Sequence, residues 1–227
     1  MKKCLFLIAV VLCVGACTSK EEKAKQAAEK AKIERERFYN DSIIADSLRR
    51  DRDRKRLEKE RLDSISKVEN EKTIKDLSRY FTFKKDEFSN DGRTWVTPKD
   101  RPMYIDVNGI YCYFQTNDEK ASNLRLKIQY AADDWLFIQS YKFSIDGMVF
   151  DYYPDNIDRD NNSTIWEWAD NQVTAFDQSL LTALMMAKNA KIRYIGRQYH
   201  KDRVITAKQL KSIKRTVQLY RAMGGSI

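Results

Sequence analysis

The sequence predicts an α+β protein: a long charged helical stalk, then an antiparallel β-meander sheet packed against two C-terminal helices. Three observations predict it. Between Ala16 and Asp91 there is no glycine or proline, so nothing interrupts a helix. From about Tyr80 aromatic residues become frequent and apolar residues alternate with polar ones, the period of a half-buried strand. After Asp170 the apolar spacing lengthens to that of an amphipathic helix.

The chain opens with Lys2 and Lys3, an apolar run from Leu5 to Val14, and the close Val14-Gly15-Ala16-Cys17. A positive end, a short apolar core and small residues at the cut make the layout of a secretory signal. The core is shorter than the roughly 20 apolar residues a membrane-spanning helix needs. The small pair directly before Cys17 resembles the lipobox of bacterial lipoproteins. That resemblance covers only this segment and implies that residues 1–16 are removed and that Cys17 is acylated and becomes the first residue. An ordinary cleaved signal with an incidental cysteine is the plainer alternative.

The resemblance also implies a place, the outer membrane of a bacterial envelope, with the membrane as a partner through the lipid on Cys17. Thr18, not aspartate, follows the cysteine, so the inner-membrane retention signal of many such lipoproteins is lacking. Lys20-Glu21-Glu22 is similar to a short acidic tag for export to the cell surface. It reads equally as the acidic first turn of a helix. Periplasmic and surface-exposed orientations both stay open.

Residues 17–78 form the anchor and stalk. They are rich in Lys, Arg, Glu and Ala, which favour helix. Acid-before-base pairs recur four residues apart: Glu21–Lys25, Asp46–Arg50, Asp51–Lys55, Asp63–Lys67 and Glu71–Lys75. Each contributes about 0.2–0.5 kcal/mol. Asn40-Asp41-Ser42 favours a cap over helix interior, which predicts two helices, 21–39 and 42–78. A heptad register places Ile44, Ile65, Leu48 and Leu62 on a seam whose other positions are charged. A sustained coiled coil needs more, so a solvated or loosely paired helix is expected. Fully helical, the segment would reach roughly 85 Å, enough to act as a spacer.

Residues 79–227 form the globular domain. Leu124, Leu126, Ile128 and Tyr130 alternate along one predicted strand, and Trp135, Phe137, Tyr141, Phe143 and Ile145 along the next. Asp146-Gly147 then supplies a two-residue turn that tolerates positive φ. Folding about it pairs Ile145 with Met148, Phe143 with Phe150, Tyr141 with Tyr152, and Lys142 with Asp151, so both faces agree on one register. The predicted meander is 110–115, 123–130, 135–145 and 148–153, with a further edge strand near 80–83 or 94–97. Asp170 is a candidate N-cap for a helix burying Val173, Phe176, Leu180, Leu184 and Ala187. Lys191 to Ile195 reads as a strand, with Gly196 at a bulge or turn. Thr206-Ala-Lys-Gln209 is a capping box opening a helix that buries Leu210, Ile213, Val217 and Tyr220.

The chemistry-bearing residues are sparse. The net charge is +9, falling by two when Lys2 and Lys3 leave, and neither stalk nor domain is strongly one-signed. With an exported location this argues against nucleic acid and for anionic envelope glycans or lipid headgroups as counterparts, solubility being the simpler reading of the charge; the partner expected for the domain is an envelope protein or glycan. Cys4 and Cys13 leave with the signal and Cys17 is acylated, so Cys112 has no disulfide partner and reads as a buried, inert thiol. His200 is the one histidine and stands among polar residues without a motif, as on a surface. No nucleophile elbow, zinc signature or phosphate loop occurs, so no cofactor and no metal is expected.

Asp158, Asp160 and Asn162 alternate as in a helix–loop–helix calcium loop, but Ser163 replaces its glycine and Ala169 its closing glutamate. A polar turn at 155–162 is the simpler reading, and a calcium-stabilised surface domain the weaker alternative. Asp134, Asp160 and Glu167 could serve an envelope glycan-directed hydrolase. The favoured expectation is a non-catalytic binding or scaffolding domain. Trp95, Tyr104, Tyr111, Tyr113, Tyr153, Trp166 and Trp168 exceed what one sheet face needs. Of these, Tyr111, Tyr113, Trp166 and Trp168 are the candidate ligand-binding residues, provided helices or the 80–104 segment do not cover them. Lys208, Lys211, Lys214 and Arg215 read as the solvated side of the last helix.

Overall fold

A computed structural model describes residues 20–88, 92–117 and 120–227. The signal segment, its lipobox and Cys17 lie outside the described residues. The chain has two compact units, divided between Asp63 and Ser64. It is an α+β protein.

Helix α1 runs unbroken from Lys20 to Ser78. The expected break at Asn40-Asp41-Ser42 is absent, because each of these residues costs less than about 0.7 kcal/mol in a helix and strong helix formers flank them. No residue of α1 is buried. Its ion pairs include Asp51 with Arg54 at 2.6 Å, three residues on. Within the second unit, Ile74 and Leu77 pack against the domain core. The chain then turns at Tyr80, whose ring carries the Arg215 guanidinium 3.7 Å from its centroid.

The domain contains two antiparallel sheets. The first has six strands: β1 (Phe81–Lys85), β2 (Thr94–Pro98), β3 (Gly109–Thr116), β4 (Ala121–Ala132), β7 (Asp158–Asn161) and β8 (Ile165–Gln172), in the order β1-β2-β3-β4-β8-β7. The second has four: β5 (Ser140–Ile145), β6 (Met148–Tyr152), β9 (Ala190–Ile195) and β10 (His200–Ile205), in the order β10-β9-β5-β6. Both predicted edge segments, near 80–83 and 94–97, are strands. The single meander is therefore corrected. β4 pairs with β8, not with β5, and the chain between them supplies β5 and β6, which join β9 and β10 in the second sheet.

The hairpin forms with the expected register on both faces. Lys142 Nζ lies 3.1 Å from Asp151. Asp146 and Gly147 have φ of 46° and 90°, a turn both residue types adopt readily. The Asp146 carboxylate also accepts the backbone N–H groups of Lys188 and Asn189, at 2.9 and 2.8 Å. One residue thus makes the turn and ties it to the start of β9.

Three further expectations are corrected. Residues 135–139 are not strand; β5 starts at Ser140. Residues 155–162 are not a turn throughout, since β7 occupies Asp158–Asn161. Asp170 caps no helix, because β8 extends to Gln172 and α2 begins only at Gln178 (Gln178–Met186). Phe176 lies outside α2 in a 3-10 turn and is 95 % exposed, while Leu180 and Leu184 are buried as expected. The final helix, α3 (Ala207–Ala222), has the predicted capping box, with Gln209 Oε1 accepting the Thr206 N–H at 2.8 Å.

Leu124, Leu126, Ile128 and Tyr130 of β4 and Ile110, Cys112 and Phe114 of β3 form the inner face of the six-stranded sheet. Helix α3 packs on β3, its Thr216 hydroxyl 3.4 Å from the Cys112 carbonyl, and α2 packs on α3. The inner face of the second sheet, with Tyr141, Phe143, Ile192 and Tyr194, belongs to the same core. The rings of Tyr130 and Tyr194 join the sheets, with centroids 5.1 Å apart.

Candidate functional site

Strand register decides which side chains share the outer face of the six-stranded sheet. Tyr111 lies opposite Lys127, which lies opposite Asp170. Tyr113 lies opposite Arg125, and Trp168 opposite Gln129. Alternation along β8 adds Trp166 to the same side. All four candidate aromatics, Tyr111, Tyr113, Trp166 and Trp168, therefore share one face, the face away from α3.

They are not equally available. Tyr111 and Trp166 are buried, at 7 % and 8 % exposure. The segment after β2 crosses one end of the face: Gln129 Nε2 donates to the carbonyls of Tyr104 and Ile105, both at 3.0 Å. A Cβ at Gly109 would collide with Pro102, so glycine is needed where this segment lies on β3. This segment also carries Arg101, which acts electrostatically on the buried Tyr111 hydroxyl. Tyr113, Trp168 and the neighbouring Trp95 stay half-buried. Tyr104 and Tyr153 are exposed elsewhere.

A connected polar group occupies the centre. The Tyr113 hydroxyl sits 2.7 Å from each oxygen of Asp170. Arg125 Nε donates to Asp170 at 2.8 Å and to the Tyr113 oxygen at 3.1 Å. Lys127 Nζ is 3.3 Å from the other Asp170 oxygen. Around it the aromatic rings form a ladder, Trp95 to Tyr113 at 5.4 Å and Tyr113 to Tyr111 at 6.0 Å. Burial pushes the Tyr111 hydroxyl up to about 12. Burial, and then the hydrogen bond to Asp170, raise that of Tyr113 as well.

The Asp170 carboxylate is held in place by a hydroxyl, a guanidinium and an ammonium. The face is chemically suited to rigid recognition through rings and oriented polar groups. Arg125 and Lys127 were readable as outward residues of the alternating Leu124–Tyr130 run. Asp170 was hidden by its resemblance to a helix cap.

The acidic candidates lie elsewhere. Glu167 is fully buried on the inner side of β8, where its carboxylate takes three backbone N–H groups and Arg159. Asp134 is exposed in the turn after β4, and Asp160 accepts the N–H of Asn161 at 2.8 Å on edge strand β7. Asp158 and Asp160 stand on a strand, not in a helix–loop–helix, and among the described residues no group of three His, Cys, Asp or Glu side chains could hold a metal. His200 is exposed at the start of β10. Cys112 is buried, and burial pushes its thiol up to about 12. Among the described residues no helix is long and apolar enough to cross a membrane.

No family model, no curated protein and no solved structure matches the chain.

Proposed function

We propose that this chain is a lipid-anchored protein of the bacterial cell envelope whose C-terminal domain binds or scaffolds a partner and does not catalyse. The anchor rests on Val14-Gly15-Ala16-Cys17, which resembles a lipobox. α1, without a buried residue, acts as a charged spacer between the acylated Cys17 and the domain. The partner is an envelope protein or glycan, met through the half-buried aromatics Trp95, Tyr113 and Trp168.

One observation carries the binding reading. Trp95 and Tyr113 form an aromatic contact beside a carboxylate whose oxygens are already held. Such a surface offers stacking and oriented hydrogen bonds with little side-chain entropy left to lose on binding. The chemistry this supports is recognition, since the oxygens of Asp170 and Glu167 are both engaged by neighbouring donors.

The test uses the full chain in its native membrane. Affinity capture after mild crosslinking should recover one dominant partner with the natural sequence. Trp95→Ala with Trp168→Ala should lose it while the protein stays folded and membrane-bound. Cys17→Ala should abolish fatty-acid labelling and release the protein from the membrane fraction. Recovery of the same partner by the double variant would overturn the role of this face. Membrane retention of an unlabelled Cys17→Ala protein would overturn the anchor.

A further inference from the structure

The two sheets end in four edge strands, β1 and β7 on the first and β10 and β6 on the second. An open edge presents unpaired N–H and C=O groups, a template on which another strand can add. Adjacent charged side chains discourage this, and three of the edges have them. β1 carries exposed Lys84 and Lys85, β7 exposed Asp158, Arg159 and Asp160, and β10 exposed Lys201, Asp202 and Arg203.

β6 differs. It reads Met148-Val149-Phe150-Asp151-Tyr152 and holds a single charge. That charge is matched within the sheet, since Lys142 Nζ lies 3.1 Å from the Asp151 carboxylate. Met148 and Val149 are 56 % and 62 % exposed, and Phe150 is half-buried. β6 thus joins exposed apolar side chains to an edge that no unmatched charge guards.

The hairpin fixes which backbone groups are free. Its two-residue turn makes Ile145 and Met148 a hydrogen-bonded pair, and bonded pairs then alternate along the ladder, at Phe143–Phe150 and Tyr141–Tyr152. The N–H and C=O groups of Val149 and Asp151 therefore point away from β5. Among the described residues no backbone group beyond the hairpin bonds to them.

The strand's own polarity pattern selects the occupant. An added antiparallel strand must set apolar residues opposite Met148 and Phe150 on the inner face and opposite Val149 on the outer. β6 meets this demand itself. With a two-fold axis at Val149, that residue faces its own counterpart, Met148 faces Phe150 of the second copy, and Asp151 faces Gly147. No like charges are opposed. An axis at Asp151 would oppose two carboxylates, and one at Phe150 would set Val149 against Asp151. A self-complementary contact of this kind closes at two copies. We propose that β6 pairs antiparallel with β6 of a second copy of this chain, joining two four-stranded sheets into one of eight strands. The pairing holds whether or not the outer face of the first sheet binds a partner.

The test is sedimentation equilibrium of the full chain in a density-matched neutral detergent, with micelles in excess. One short strand makes a small interface, so a dimer dissociating at about 10–100 μM is expected. Val149→Pro removes one free-edge N–H from each copy and no bond within the hairpin. It should weaken the dimer about tenfold or more, two hydrogen bonds being lost, without lowering the melting temperature appreciably. Val149→Lys should also weaken it, by guarding the edge with a charge. Val204→Lys, on the opposite edge β10, should leave the dimer intact. On air oxidation Val149→Cys should link two copies through a disulfide, and Tyr153→Cys should not. The proposal fails if the natural chain is still monomeric at about 200 μM. It also fails if the dimer survives both Val149→Pro and Val149→Lys, or if Tyr153→Cys links as readily as Val149→Cys.

Discussion

Arg159 Nε on β7 lies 2.8 Å from Oε2 of Glu167 on β8, and the glutamate side chain has no exposure at all. β7 is an edge strand of four exposed residues with little apolar area to hold it. This charge pair therefore fastens the sheet edge and the Leu136–Ile138 segment together. Removing one partner leaves a buried charge or several buried N–H groups unmatched.

Glu167→Gln should thus lower the unfolding free energy by about 3 kcal/mol, since an amide oxygen cannot replace two carboxylate oxygens accepting four donors. Arg159→Ala should cost less, about 1–2 kcal/mol, because Glu167 keeps its three backbone donors. Urea denaturation of both variants reads the order. Equal costs would mean that the backbone contacts contribute little.

The hairpin turn makes stability acid-sensitive. Backbone hydrogen bonds from Lys188 and Asn189 hold the Asp146 carboxyl below the ordinary range. The hydrogen bond from Arg193, paired at 2.7 Å, does the same for Asp202. Both carboxyls bind protons less readily folded than unfolded, so their contribution is present above about pH 4 and is lost as pH falls through the lowered values. Melting temperature should decline below about pH 4, and the decline should be shallower in Asp146→Asn. An equal slope in the variant would remove Asp146 from the account.

Alkali should act in the opposite sense. Burial raises the hydroxyls of Tyr141, Tyr152 and Tyr194, along with Tyr111 and Tyr113. Their contribution is complete below about pH 10, where the unfolded chain's tyrosines are still protonated, and is lost as pH rises toward the folded values. Absorbance at the phenolate band should therefore show some of the 12 tyrosines ionising only as circular dichroism reports unfolding. Ionisation of all of them near pH 10 with the fold intact would contradict this burial.

Gly196 should tolerate no side chain. The obstacle to a Cβ there is a backbone carbonyl, that of Leu136, which cannot rotate aside. Gly196→Ala should destabilise by about 1–3 kcal/mol through overpacking, seen as a lower urea midpoint with unchanged slope. Gly92→Ala has open space but positive φ, and should cost about 1 kcal/mol.

The hairpin was legible because its information is local: a turn of two residues and alternation on either side set every pair. β8 was not. Its inward positions include Glu167 and Asn171, while Trp166 and Trp168 face outward, so its polarity pattern runs against that of a half-buried strand. An inward glutamate is tolerable only because Arg159 and three distant N–H groups meet it, and none of those contacts is visible in a window of sequence. The same holds for the candidate site. Alternation placed Tyr111 with Tyr113, yet only the β3-β4-β8 order puts Trp166 and Trp168 on the same face as that pair.

The amino-acid order alone determined the helical character of the stalk, the strand alternation around the Asp146-Gly147 hairpin, that hairpin's register and the Thr206 cap, since each depends on neighbours within a few positions. Which strands became partners, which aromatics were covered, and which carboxylates were engaged were decided by tertiary packing. Those outcomes depend on residues tens of positions apart competing for the same buried donors and apolar area, and that competition is resolved only when the whole chain is folded.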